Sequence, residues 1–215
     1  MQNQNNNKFE VIQMQPTNTN SVLVSSGDSC VIFDPWGRAD DWLELLSKRG
    51  LNLMAIYATH GHPDHISAAP ALARKLNVPW YLHSGDFRLV GWGADLLDYF
   101  GLPHICADDS APTPIYAGVY NILQNVSMRV IETPGHTPGG VMYYFPHDNI
   151  LITGDTIFHD GYGRYDLPGG SSEMLFQSIR GLYNMMLPPE THVIHGHGVP
   201  STIGWLNENH PTFGK

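Results

Sequence analysis

Four side chains of the kind that bind divalent cations fall within six residues, in the run His60-x-His62-x-Asp64-His65. The run follows the apolar stretch Leu51–Ala58 and opens onto helical spacing. It therefore sits where a strand ends and a turn can fan alternate side chains toward one point. Gly61 and Pro63 shape that turn, which a solvated patch of histidines would not require. Imidazole and carboxylate are the donors that zinc and similar borderline cations take. His60 and His62, one residue apart, suit a single ion, while Asp64 and His65 point elsewhere and suit a second.

Three further donors stand at strand ends in the second half. His136 is held between two proline-containing turns in Thr133-Pro-Gly-His-Thr-Pro-Gly-Gly140. Asp155 follows an apolar run in Ile152-Thr-Gly-Asp-Thr156, where a carboxylate bridging two ions and a helix N-cap are both open readings. In His195-Gly-His-Gly198 either histidine can bind. Five histidines and two aspartates suffice for two cation sites sharing Asp155. Two cations a few ångströms apart hold a hydroxide at neutral pH and polarise a carbonyl at once. That is hydrolytic chemistry.

The elements that must position these donors read as follows. Strands are expected at Phe9–Gln13, Ser21–Ser25, Cys30–Asp34, Leu51–Ala58 and Val78–Leu82, then at Tyr120–Leu123, Ser127–Thr133, Gly140–Phe145, Asn149–Thr153 and Thr191–His195. Helices are expected at Asp40–Arg49, Ile66–Leu76 and Ser172–Met186, with a less regular one at Phe87–Phe100 interrupted by Gly91 and Gly93. Ala107–Pro114 and the Gly-rich stretch 159–170 read as loops, and a short tail follows the last strand. This order, with no linker inside residues 9–210, predicts two similar halves packed as one domain. Residues 1–8 read as a disordered polar tail and 9–215 as the domain.

Composition narrows the partners. The formal charge is −9, so no basic footprint exists for nucleic acid or an anionic membrane. No apolar run reaches the ~18 residues of a membrane span. The polar N-terminus has no hydrophobic signal core, and cytoplasmic residence is expected. Cys30 and Cys106 are too few for a disulfide framework and read as reduced, buried thiols. The expected partner is a small molecule.

Taken together, the sequence resembles the metallo-β-lactamase superfamily, and within it the compact bacterial branch of the glyoxalase II-like hydrolases. The marks are Thr59-His-Gly-His-Pro-Asp-His65, Thr133-Pro-Gly-His-Thr-Pro-Gly139, Thr153-Gly-Asp-Thr-Ile-Phe158, Gly163-Arg-Tyr-Asp-Leu-Pro-Gly-Gly170, Gly196-His-Gly198 and the early Phe33-Asp34-Pro35. The resemblance implies an α/β fold, an αββα four-layer sandwich with a metal cleft at one edge between the two sheets. It implies two divalent ions, zinc first, with iron or manganese as alternatives. His60, His62 and His136 would hold one ion, Asp64, His65 and His197 the other, and Asp155 would bridge them. Asp64 would also orient the attacking hydroxide and take its proton. His195 stands where relatives often carry proline and is read as supporting.

The implied activity is hydrolysis of a small thioester of the hydroxyacylglutathione type, by attack of a metal-bridging hydroxide on its carbonyl. The alternatives are a persulfide dioxygenase with one iron held by two histidines and an aspartate, or a lactonase or β-lactamase-type hydrolase. Full-length glyoxalase II proteins carry a helical C-terminal domain that supplies basic and aromatic groups for glutathione. Only 18 residues follow His197, so that domain is expected to be missing. Arg164 and Tyr165 are the candidate substrate contacts, Arg164 for a carboxylate. Against that stands a simple Arg164–Asp166 pair that holds the loop. Phe158 and Tyr162 are candidate pocket walls.

Overall fold

The computed structural model describes residues 7–101 and 110–214. Two six-stranded sheets form in chain order. The first contains β1 (Lys8–Met14), β2 (Thr19–Ser26), β3 (Ser29–Phe33), β4 (Asn52–Tyr57), β5 (Trp80–Leu82) and β6 (Thr113–Pro114). The second contains β7 (Gly118–Leu123), β8 (Val126–Glu132), β9 (Val141–Phe145), β10 (Ile150–Gly154), β11 (His192–His195) and β12 (Ser201–Thr202). β3, β4, β5 and β6 run parallel to one another, as do β10 and β11, and all other pairings are antiparallel.

Strand alternation decides the layers, because successive side chains leave opposite faces of a sheet. Val22, Val31, Phe33 and Tyr57 of the first sheet meet Met128, Val130, Tyr143 and Phe145 of the second in a central core. Leu23, Cys30, Ile32 and Ile56 face outward against α1 (Ala39–Arg49) and α3 (Ala69–Leu76), through Trp42, Leu46 and Leu72. On the other side Met142, Tyr144, Leu151 and Val193 meet α6 (Ser172–Asn184) and α7 (Ile203–Asn209), through Leu175, Ile179 and Leu206. The strands are apolar on both faces because both faces are covered. This is the αββα sandwich.

The structure corrects several element readings. The expected helix Ile66–Leu76 is two, α2 (Pro63–Ile66) and α3, because Pro70 lacks an N–H and crowds the carbonyl four residues back. The Phe87–Phe100 pattern is likewise broken, into α4 (Phe87–Gly91) and α5 (Gly93–Phe100). Thr113–Pro114, read as loop, pairs with β5 as the edge strand β6. The tail after β11 contains α7, capped by the Thr202 hydroxyl accepting from the Trp205 N–H. Lys8, assigned to the tail, opens β1 opposite Ser25. Cys30 is buried, its thiol pushed up to about 12 by that burial, while Cys106 lies outside the described residues. Among the described residues no helix is long and apolar enough to cross a membrane.

Phe33 is the knot of the central core, with ring centroids 5.2 Å from Tyr57, 4.9 Å from Tyr143 and 5.7 Å from Phe145. Phe33→Ala is expected to cost about 3–5 kcal/mol of stability in urea unfolding. A loss below ~1 kcal/mol would show that the sheets do not depend on this contact.

Candidate metal centre

All seven expected donors gather at one edge of the sandwich, where loops leave the carboxyl ends of β4, β10 and β11 and join β8 to β9. His60, His62 and His136 form one donor cluster, and Asp64, His65 and His197 form another. His60, His65 and Asp155 form a third that overlaps both, with the donor atoms of each cluster within 4.8 Å of one another. Asp155 lies between the two outer clusters. Its Oδ1 is 3.4 Å from His65 Nε2, and its Oδ2 is 3.6 Å from His136 Nε2 and 3.5 Å from His197 Nε2. His195, by contrast, turns away. Its Nδ1 reaches the Ile157 carbonyl at 2.7 Å and its Nε2 the Ser201 hydroxyl at 2.8 Å.

Hydrogen bonds on the far side of four of the five rings fix which nitrogen faces the centre. Thr59 donates its hydroxyl to Asp34 Oδ2 at 2.7 Å, so its oxygen accepts from His60 Nδ1–H at 3.0 Å. His65 Nδ1 donates to Asp34 Oδ2 at 3.0 Å, and His136 Nδ1 to the Arg164 carbonyl at 2.6 Å. His197 Nδ1 donates to the Thr17 carbonyl at 3.2 Å. With Nδ1 carrying the proton, each neutral ring presents a bare Nε2 lone pair inward. His60 and His136 then face each other Nε2 to Nε2 at 3.2 Å, and His65 and His197 at 3.3 Å. The His60–His136 lone pairs repel at that distance unless a cation lies against them, while between His65 and His197 either a cation or a proton relieves the repulsion.

The electrostatics differ between the two clusters. Burial pulls His60 well below the usual imidazole range and His62 down to about 3, which keeps both neutral and able to ligate. Burial also opposes charge on His197, but Asp155 and Asp64 carry it up to about 11. Burial works against the Asp155 carboxylate too, yet His65 and His197 hold it well below the carboxylate range. One oxygen, Asp155 Oδ1, is buried with no hydrogen-bond partner. An orphaned carboxylate oxygen among converging imidazoles fits a bound cation.

A residue that sequence reasoning missed ties the two His-bearing loops together. Asp86, fully buried in the single helical turn Ser84–Asp86, accepts from Gly61 N–H at 2.9 Å and Thr137 Oγ1 at 2.7 Å through Oδ2. Its Oδ1 accepts from Gly139 N–H at 2.6 Å. Burial pushes its carboxyl up, and the three donors oppose that. Gly163 is needed for a different reason. A Cβ there would run into the Asp155 carbonyl and His136 Nδ1.

The donors floor a cleft of about 570 Å³ whose walls include Thr17, Phe158, Tyr162, Arg164 and Leu167. Phe158 and Tyr162 stand where the sequence put them. Tyr165 does not: it is absent from the cleft wall, and its ring lies 6.4 Å from both Tyr162 and Phe176. Arg164 reaches the cleft, but its guanidinium forks onto Asp166 with two bonds of 2.8 Å. That pairing is the loop-holding alternative the sequence also offered for Arg164.

A four-layer sandwich with clustered imidazole and carboxylate donors at one edge defines the metallo-β-lactamase fold. The chain belongs to the Metallo-beta-lactamase superfamily, whose model matches residues 14–197. It is 31% identical to the hydroxyacylglutathione hydrolase GloC of Haemophilus influenzae, over 94% of this chain and 96% of that one. Two solved structures superpose closely. TTHA1623 in a di-iron-bound form is 34% identical, with a TM-score of 0.85 covering 94% of this chain and 98% of that one. The BLEG-1 B3 metallo-beta-lactamase is 31% identical, with a TM-score of 0.86 covering 97% of this chain and 100% of that one.

Asp86→Asn puts an amide nitrogen among three donors. Metal affinity by chelator competition is expected to weaken about 10–100-fold, the range for loss of a group that orients ligands. Unchanged affinity would show that the loops hold their geometry without it. His195→Ala is expected to lower stability by about 2–4 kcal/mol through a cavity and a stranded Ile157 carbonyl. Bound metal should be retained in the folded protein, and its loss in elemental analysis would make His195 more than a support.

Proposed function

We propose that the protein is a dinuclear metal-dependent hydrolase of small thioesters. The observation that carries the reading is the pair of inward Nε2 couples with Asp155 between them, its Oδ1 beside His65 and its Oδ2 shared by His136 and His197. His60, His62 and His136 would hold one ion, Asp64, His65 and His197 the other, and Asp155 both. Divalent ions in such a pair supply Lewis acidity at a carbonyl and a nucleophilic water at neutral pH. Zinc fits the nitrogen-rich donor set, and the di-iron form of TTHA1623 supports iron as an alternative.

The chain's own groups do the rest. Asp64, whose Oδ2 is 3.3 Å from His197 Nε2, directs the attacking water with its other oxygen and receives the proton. Phe158, Tyr162 and Leu167 wall the cleft against bulk water. In the net reaction a C–O bond forms at the acyl carbon, the C–S bond breaks, and a carboxylate and a thiol leave. The name of the GloC relative supports a thioester over other acyl compounds. The substrate is taken as a small molecule, since a chain of net charge −9 offers no footprint for nucleic acid.

Metal-replete protein is expected to carry about two ions per chain and to release thiol from S-lactoylglutathione. Asp155→Ala should lose both ions or most of that activity. One ion per chain, no thiol release and oxygen uptake with glutathione persulfide would replace this reading with a dioxygenase. Turnover of a β-lactam without thioester turnover would move it to the lactamases.

A further inference from the structure

A second cavity, of about 490 Å³, opens beside the metal cleft and shares Leu167 with it. Its other described walls are Pro168 and Asp166 on the loop side and Trp92, Asp95 and Tyr99 on the helix side. Asp95 and Tyr99 are four residues apart on α5, and Trp92 precedes Asp95 by three, so the three share one face. Trp92 is 43% and Tyr99 67% exposed, so two large aromatic surfaces stand side by side at this cavity. Those rings are open to the cavity, with a carboxylate between them.

The charges there are uneven. Asp166 is neutralised by the Arg164 fork, and Arg164 also hydrogen-bonds Tyr99 across the threshold between the cavities. Among the described residues no cation pairs with Asp95, and none of the lining side chains is a lysine or arginine. Aromatic faces beside a carboxylate favour an ammonium group and repel a carboxylate.

A thioester whose acyl carbon lies at the donor cluster must send its sulfur-side arm along a wall of the cleft, and Leu167 leads to this cavity. We propose that the cavity formed by Trp92, Asp95, Tyr99 and Leu167 receives the thiol arm of the substrate, and that this arm carries an ammonium group and no free carboxylate. The inference rests on the thioester reading above and names its substrate class. The thiol arm of glutathione carries two carboxylates beside its one ammonium and is the poorer fit, so its thioesters should be turned over only weakly.

Three thioacetates test the point, assayed by thiol release from the metal-loaded protein at low ionic strength, where an exposed charge is least screened. They are S-acetylthiocholine, its uncharged isostere S-(3,3-dimethylbutyl) thioacetate, and anionic S-acetyl-3-mercaptopropionate. The cation is expected to exceed the isostere in kcat/KM by about five- to tenfold, with the anion lowest. Asp95→Asn, at an exposed position, should bring the ratio of cation to isostere close to one. Trp92→Ala should lower kcat/KM for both. A ratio near one in the wild type, or one that survives Asp95→Asn, overturns the proposal. Calorimetry with S-methylthiocholine, which cannot be hydrolysed, separates this failure from that of the hydrolase reading. Binding that weakens severalfold in Asp95→Asn, with no thioester hydrolysed, keeps the cavity and removes the hydrolase. Hydrolysis of all three thioacetates without charge preference does the reverse.

Discussion

The candidate centre depends on one buried carboxylate. Asp34 leaves β3 in the left-handed conformation, with φ of 50°, and so turns its side chain back beneath the His60 loop. Parallel pairing sets Phe33 beside Tyr57, which brings the residues just beyond both strands out side by side. Asp34 Oδ1 there accepts the Thr59 N–H at 2.6 Å, and Oδ2 accepts both the Thr59 hydroxyl and His65 Nδ1. Two rings from opposite clusters, His60 and His65, thereby take their tautomers from the same carboxylate. Without it, either ring could turn a proton inward and close a ligand position.

The remaining donors come from the other sheet, so the centre exists only when the sandwich is packed. Hydrogen bonds across the sheet edges make that packing specific. Val141 N–H reaches the Thr59 carbonyl at 2.8 Å, and the Tyr143 hydroxyl reaches the Ala58 carbonyl at 2.7 Å. On the other flank the Asn20 amide donates to the carbonyls of His195 and Gly198, both at 2.9 Å, while Asn20 N–H takes that of Gly196 at 2.7 Å. Each sheet thus grips the ligand loop of the other. Bound cations would add a third clasp between the same loops, which couples metal binding to the stability of the sandwich.

The sequence made the ligands legible because their spacing is local. His60, His62, Asp64 and His65 sit in one turn, and the glycines and prolines around His136 announce a fixed loop. The strands were legible for a similar reason, as short apolar runs bounded by turn residues. Asp86 was not. Ser84-Gly85-Asp86 is an ordinary surface turn by composition, and its partners Thr137 and Gly139 are more than fifty residues away, at separations of 51 and 53. Helix α7 was hidden by its length of seven residues, with only Ile203 and Leu206 buried. Two roles for Arg164 were open in the sequence, and the structure shows the Asp166 fork at the cleft wall. The face shared by Trp92, Asp95 and Tyr99 was obscured by Gly91 and Gly93, which read as interruptions and are instead the joint that sets α5 against the loop.

That loop has two sides with different tolerances. Its inner side is committed to the metal centre, because the Arg164 carbonyl orients His136 and Gly163 has no room for a side chain. Its outer side, through Asp166, Leu167 and Pro168, forms one wall of the second cavity. A change in the loop that reshaped the cavity would therefore also disturb a ligand. The facing wall is different, since α5 carries none of the seven donors. On the proposed reading, Trp92 and Asp95 can change substrate preference with less effect on the centre than Tyr99, which hydrogen-bonds Arg164. On physical grounds, relatives with one metal centre and different substrates should differ first along this helix face.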